Sequence, residues 1–222
     1  MVANIQTIAF QGVEAVAVEV QVHLAPGQNA FNVVGLPDKS VAESRERMRA
    51  TLSAIGLALP YDRITINLSP ADWPKEGSHY DVPIALGLLV AMGALPQQAV
   101  NGFCVMGELG LDGTLIGVPG AFPAAMSALA KHQGLICPAD CGPEAAWSGL
   151  AAPDKSGINA AGHLLEALNH LRGVALLPPS QARPAPPPSG GPDMADIRGQ
   201  AEARLALEVA ACSCHNLLMM AG

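Results

Sequence analysis

A proline-rich tract at residues 178–192, Pro178-Pro-Ser-Gln-Ala-Arg-Pro-Ala-Pro-Pro-Pro-Ser-Gly-Gly-Pro192, decides how this chain can be divided. Proline has no backbone N–H to give a helix or a ladder, so the tract reads as a semi-rigid tether with little means of packing. It leaves residues 1–177 on one side and 193–222 on the other. The larger piece has the length of an ordinary domain. The smaller holds one amphipathic helix, predicted over 197–211, and an apolar run from His215 that reads as the start of a buried strand. One helix and one strand cannot enclose a core, so residues 193–222 are expected to begin a second domain.

Within 1–177 the apolar residues alternate. Ile5, Ile8 and Phe10 are followed by Val16, Val18, Val20 and Val22, with Glu19 and Gln21 opposite. A period of two predicts strands of a half-buried sheet, turned at Gln11-Gly12. Phe31-Asn-Val-Val34 and Arg63-Ile-Thr-Ile-Asn-Leu68 predict two more strands. Between them, Ser40 and Glu43 read as a capping box opening a helix over 40–55, whose stripe is Val41, Met48, Leu52 and Ile55. The stretch 69–80 reads as a loop, and Asp81 is expected to cap an apolar helix from Val82 to about Met92. Strands at 103–109 and 114–118 form a predicted hairpin around Leu111-Asp-Gly113. Helices at 121–132 and 164–171 and a strand at 135–137 complete the pattern. Antiparallel runs placed before the helices predict an α+β fold rather than a doubly wound sheet.

Half of the residues are hydrophobic and 14% are charged, which excludes a disordered chain. The longest apolar stretch, 82–95, falls short of the roughly 20 residues of a membrane helix. The opening Met1-Val-Ala-Asn has no basic segment ahead of an apolar one, so a cytoplasmic protein without a membrane partner is expected. Five cysteines, an odd number, fit reduced thiols in that compartment. The net charge of −7 excludes a broad cationic surface for nucleic acid and leaves room only for a local basic stripe.

Lys39, Arg45, Arg49, Arg63 and Lys75 are the candidates for that stripe. At about 100° per residue Arg45 and Arg49 share a helix face and Arg47 lies off it. Guanidinium groups match phosphate geometry. The plain alternative is a solvated helix with Glu43–Arg47 and Glu46–Arg49 pairs. An aromatic content of 4% argues against a platform for stacking bases. Cys212, Cys214 and His215 give poor tetrahedral reach, and Cys137 and Cys141 have no histidine pair nearby, so no metal site is expected. His23, His132, His163 and His170 are scattered, and Glu108 and Asp112 flank a tight turn that favours an acid in any case.

Several segments carry a resemblance: Val34-Gly-Leu-Pro-Asp38, Glu43-Ser-Arg-Glu-Arg-Met-Arg49, Ile66-Asn-Leu-Ser-Pro-Ala-Asp72, Pro74-Lys-Glu-Gly77, Asp81-Val-Pro-Ile-Ala-Leu-Gly87 and Gly107-Glu-Leu109. Together they resemble the amino-terminal region of the ComM/YifB-like group of magnesium-chelatase-like AAA+ proteins, over nearly the whole chain. The resemblance implies a ribosomal S5 domain 2-like, Lon-protease-like domain, then a linker, then the first helix and strand of a P-loop AAA+ domain. Gly199-Gln200 with Ala203-Arg-Leu-Ala-Leu-Glu-Val-Ala-Ala211 is similar to the helix leading into that module, and His215-Asn-Leu-Leu-Met219 to its first strand. Gly222 would then be the nucleotide-binding first glycine of G-x-x-x-x-G-K-[ST]. The lysine and hydroxyl of that motif are not in these residues, so ATP hydrolysis is not expected of them. The resemblance implies that the full-length protein uses ATP and Mg2+, forms a homo-oligomeric, hexameric ring, and moves DNA branches in natural transformation and recombination.

Lon-type folds can carry a Ser-Lys dyad. Pro74-Lys-Glu-Gly-Ser-His-Tyr-Asp81 resembles the segment that holds the nucleophile, but the match puts His79 at the serine position and Ser78 one place early. Gly107-Glu-Leu-Gly-Leu-Asp-Gly-Thr-Leu-Ile-Gly-Val-Pro-Gly-Ala-Phe122 resembles the strand pair leading to the lysine, and the match puts Phe122 there. A phenyl ring cannot accept a proton, so no catalytic residue is expected. Two alternatives stay open: a residual peptidase using Ser78 with Lys75, and a subunit of a metal-insertion complex.

Overall fold

Alternating apolar residues build the two longest strands, β1 (Val2–Gln11) and β2 (Glu14–Ala25), which pair antiparallel from Val2 with His23 to Gln11 with Glu14. The computed structural model describes residues 2–12, 14–72, 74–149, 157–184 and 193–220. β3 (Ala30–Val34) leads through α1 (Lys39–Ala42) and α2 (Ser44–Ala54) to β4 (Arg63–Ser69), which is antiparallel to β2 and parallel to β3. After α3 (Asp81–Ala91) and the short α4 (Gln97–Val100), β5 (Phe103–Val105) lies parallel to β1. A hairpin of β6 (Glu108–Leu109) and β7 (Leu115–Ile116) precedes α5 (Ala121–Ala130), β8 (Gly134–Pro138), α6 (Gly142–Ala145), β9 (Ile158–Ala161) and α7 (Leu164–Leu171). The main sheet has seven strands in the order β3-β4-β2-β1-β5-β8-β9.

The fold is therefore mixed α/β. Antiparallel pairing holds on the β1-β2-β4 side, but β1, β5, β8 and β9 run parallel. That half escapes a search for alternation because β5 spans three residues and β9 is half alanine.

Each face of the sheet has its own core. On one, Ile5, Val20, Val22, Ile64, Ile66 and Leu68 pack with α2, α3 and α7. Residues Val82 to Val90 of α3 are all buried, which accounts for a helix with no polar face. Gly87 lets α3 approach, since a Cβ there would lie 2.6 Å from Val22 Cγ2. On the other face Ile8, Cys104, Leu135 and Cys137 meet the alanine side of α5. β1 is thus half-buried at its start and covered on both faces towards its end. Further along that second face, Gln6 and Gln21 donate to the Glu19 carboxylate and Asn67 donates to Gln21. Where β5 is too short to pair with the start of β1, the Gln97 amide takes its place, accepting from Asn4 N–H at 3.0 Å and donating to its carbonyl at 2.7 Å.

Four local expectations are corrected. The cap of the first helix is Asp38, whose Oδ1 accepts from Val41 N–H at 2.8 Å; Ser40 lies inside the helix, which breaks at Glu43. Asp81 is not a cap, because its carboxylate faces Arg47, and Val82 N–H finds the Gly107 carbonyl at 3.0 Å instead. Phe103–Val105 belongs to the main sheet rather than to the hairpin, because Gly107 (φ 145°) turns the chain against Pro138 and Val82. Residues 178–184 do find partners: the Trp147 indole donates to the Arg183 carbonyl at 3.2 Å, an acceptor that a proline-rich chain still offers. Residues 185–192 of the tether lie outside the described residues.

The chain divides into two units, residues 1–184 and 185–222. In the second, α8 (Ala201–Ser213) begins later than the expected 197, because Gly199 (φ 74°) and Gln200 (φ 52°) interrupt any helix before it. Residues 215–220, expected as a strand, join no ladder among the described residues, and a strand without a neighbour has nothing to hold it extended. Gly222 lies outside the described residues.

Cys104, Cys137 and Cys141 are buried, and Cys212 and Cys214 are exposed. Burial pushes the Cys104 thiol up to about 12 and raises Cys137 and Cys141 as well. Since the thiolate is the reactive form, a disulfide reagent at neutral pH should titrate two of the five thiols in the folded protein and all five in denaturant. A third fast thiol in the native protein would contradict this packing.

Candidate functional site

Asp38 organises one end of the sheet. Its Oδ1 caps α1 and its Oδ2 accepts from Gly77 N–H at 3.0 Å. The backbone adds Asp38 N–H to the Lys75 carbonyl at 2.9 Å and Lys75 N–H to the Leu36 carbonyl at 3.0 Å. The loop before α3 is thereby fixed to the start of α1. The turn that makes this possible needs Gly35: its φ is 102°, and an added Cβ would stand 2.2 Å from the Leu68 carbonyl oxygen.

The expected basic residues separate into two groups. Lys39 is 92% exposed, Arg49 52% and Arg45 38%, and Arg63 is exposed at the start of β4. Their acidic neighbours hold them loosely, with Lys39–Glu43 at 3.8 Å and both Arg45 and Arg49 at 4.0 Å from Glu46. Such surface pairs contribute about 0–1 kcal/mol, so a phosphate can displace them. Lys75 leaves this group. It is fully buried, its Nζ donates to the Pro70 carbonyl, and burial lowers its pKa.

Arg47 is partly buried on the side of α2 that meets Asp81. Its Nε and Nη2 reach the two Asp81 oxygens at 2.5 and 3.0 Å, and Nη2 also donates to the Ser40 carbonyl at 2.8 Å. Asp81 is 1% exposed and accepts in addition from Leu109 N–H at 3.3 Å. The bond to Asp81 keeps Arg47 charged, while burial pushes the Asp81 carboxyl up against the pull of the guanidinium. The pair ties α2 to α3 and β6. The expected Glu43–Arg47 pair is replaced by this contact; the Glu46–Arg49 pair is present.

A short 3-10 turn, Ser78–Tyr80, follows the Gly77 loop and runs directly into α3. The Ser78 hydroxyl donates to the Glu108 carboxylate. His79 is buried, with Nε2 3.0 Å from the Ile8 carbonyl, and burial lowers its pKa. The neutral ring therefore donates Nε2–H to that carbonyl. Phe10 stands 5.2 Å from the His79 ring and fills the space beside Gly120, where an added Cβ would meet it at 2.3 Å. Phe122, at the start of α5, is partly exposed, and its N–H donates to Glu144 at 2.9 Å. Two clefts of about 510 and 980 Å³ meet at Phe10, the first beside Pro74 and Gly77 and the second beside Phe122. Phe10 lines both clefts and Phe122 the second, and His79 lies buried against Phe10; none of these three side chains is an activated nucleophile.

A third cleft, of about 350 Å³, opens between α2 and the start of β4 and is lined by Arg49 and Tyr61 among others. In the sequence Tyr61 is a lone tyrosine beside Pro60 and carries no periodic signal. Among the described residues no three of His, Cys, Asp and Glu lie together as metal ligands would, and no helix is long and apolar enough to cross a membrane.

Residues 20–141 match the family described as subunit ChlI of Mg-chelatase, and residues 193–222 match a second, magnesium chelatase, subunit ChlI. The chain is 37% identical over 218 residues to the uncharacterized protein YifB of Salmonella typhimurium, covering 98% of this chain and 42% of that protein. It is 37% identical over 223 residues to YifB of Escherichia coli, with 97% and 42% covered. To the competence protein ComM of Haemophilus influenzae it is 37% identical over 223 residues, with 98% and 43% covered. The chain thus spans about 42% of the length of the curated relatives it matches.

Proposed function

This chain belongs to the family described as subunit ChlI of Mg-chelatase, and from that premise we propose that residues 1–177 are the DNA-gripping, non-catalytic domain of a ComM-like AAA+ motor. In this reading the whole protein is a cytoplasmic, ATP-driven hexameric ring that moves DNA branches during recombination of incoming DNA. The first unit guides the DNA at the ring's entry. The observation that carries the reading is the loosely paired row of Lys39, Arg45 and Arg49 on the outer side of α1 and α2, with Arg63 beyond it.

A Lon/S5-like ancestry is supported by the order of parts around Phe10: the Gly77 loop, the turn into α3, the β6–β7 hairpin and then α5. The peptidase alternative is disfavoured by what the polar groups do there. The Ser78 proton is given to a carboxylate and the Lys75 amine to a backbone carbonyl. Metal insertion is the weaker reading because the exposed cations are guanidiniums and an ammonium, which suit phosphate and not a metal centre. The lysine and hydroxyl of a phosphate loop are not among these 222 residues. ATP and Mg2+ therefore belong to the proposal for the whole protein, and no nucleotide step is assigned to this chain's own side chains.

The test is the affinity of fluorescein-labelled duplex DNA for the chain with Arg45→Glu and Arg49→Glu together. Two lost phosphate contacts should make the slope of log affinity against log salt shallower by about 2 and weaken binding tenfold or more at low salt. An unchanged slope and affinity would remove the proposed surface.

A further inference from the structure

Tyr61 is 84% exposed, more than any other large apolar side chain of the first unit among the described residues. It borders the cleft of about 350 Å³ whose other walls include Arg49, Ser53 and Asn29 over a floor of Leu57 and Leu59. That volume is in the range of small-ligand pockets. Leu57 and Leu59 rest on the main core, so the floor is anchored, whereas Asn29, Ser53 and Arg49 point polar groups outward. The register pairs Arg63 with Ala30, the residue that follows Asn29. Asp62 and Glu46 are the nearby acids, and Glu46 touches Arg49 only at 4.0 Å.

An apolar floor, an exposed ring, an amide and two guanidiniums are what an unstacked base and its flanking phosphates require. We propose that Tyr61 and this cleft take a base of single-stranded DNA, with Arg49 and Arg63 on the phosphates to either side. The inference rests on the DNA-binding reading above and sharpens it. In a duplex both faces of a base are already stacked, so the ring has nothing to receive; in a single strand it has. The low aromatic content excludes a platform of several rings, and a single ring needs only a single base.

The experiment compares dT20 with a 20-base-pair duplex, both fluorescein-labelled, on the chain as it stands. Tyr61→Ala should weaken dT20 binding about tenfold and change duplex binding by less than about twofold, while Tyr61→Phe keeps the stacking and the affinity. Irradiation of an oligonucleotide carrying 5-iododeoxyuridine should crosslink it to Tyr61. If Tyr61→Ala leaves dT20 binding unchanged while the Arg45→Glu, Arg49→Glu protein binds both DNAs less tightly, the base site is wrong and the DNA surface stands. If the unaltered chain binds neither DNA, or the charge reversals change neither affinity, both readings fall.

Discussion

Arg47→Ala should lower the stability of the first unit by about 3–5 kcal/mol, the usual cost of leaving a buried charge, here the Asp81 carboxylate, without its partner. The carboxylate of Asp81, 1% exposed, would keep only the Leu109 N–H at 3.3 Å. The loss would appear as a lower urea midpoint with an unchanged slope. Arg47→Lys should recover a part of it, because an ammonium restores charge but not the two-pronged contact. Replacing both partners with apolar residues, Arg47→Met with Asp81→Leu, should recover most of it, since neither charge is then buried. The loss also has a pH signature. Burial raises the Asp81 pKa in the folded protein, and removing its guanidinium raises it further. A raised acid leaves stability intact below the unfolded value, about 3.9, and removes it as pH climbs through the folded value. The penalty of Arg47→Ala should therefore be smallest near pH 4 and deepen towards neutrality. A loss below about 1 kcal/mol at pH 7 would mean that the pair is not what joins α2 to α3.

The second large effect is expected at Gly35. Alanine there must place its Cβ 2.2 Å from the Leu68 carbonyl oxygen, and that oxygen belongs to the backbone of β4, which cannot swing aside. The residue also keeps a φ of 102°, where an L side chain is strained. Overpacking and backbone strain together should cost about 2–4 kcal/mol. Gly12 provides the comparison: its φ is 63°, and nothing lies within 4 Å of an added Cβ. Gly12→Ala should cost about 1 kcal/mol, the conformational part alone. Equal losses at the two positions, read from urea midpoints, would show that the close approach to β4 contributes nothing.

The legible parts of this protein were those with a period or a strong local chemistry. Val16 to Val22 alternate and form β2, and of the stripe predicted for one helix Val41, Met48 and Leu52 are buried, though Val41 lies in α1 and Ile55, just past α2, is only partly covered. The basic residues were legible as a list but not as a surface. Whether Lys75 meets solvent or a backbone carbonyl depends on a bridge to Leu36 and Asp38 nearly forty positions away, and no local pattern encodes it. Asp81 reads as a helix cap because caps are local; its partner is 34 residues distant. Tyr61 is illegible for the opposite reason. Its significance lies in being uncovered, and exposure of one ring leaves no mark on composition.

The dual pairing of β1 has a consequence for synthesis. A chain made from its amino terminus can close the β1–β2 hairpin as soon as that strand emerges, while the other edge of β1 waits for β5. The Thr7 hydroxyl, for example, bonds to Val105, 98 positions later. Until then the nascent protein carries a long strand with one bare row of backbone donors and acceptors. That interval is when neighbouring ribosomes on one message could present two such edges to each other, and it ends only when Phe103, Cys104 and Val105 arrive.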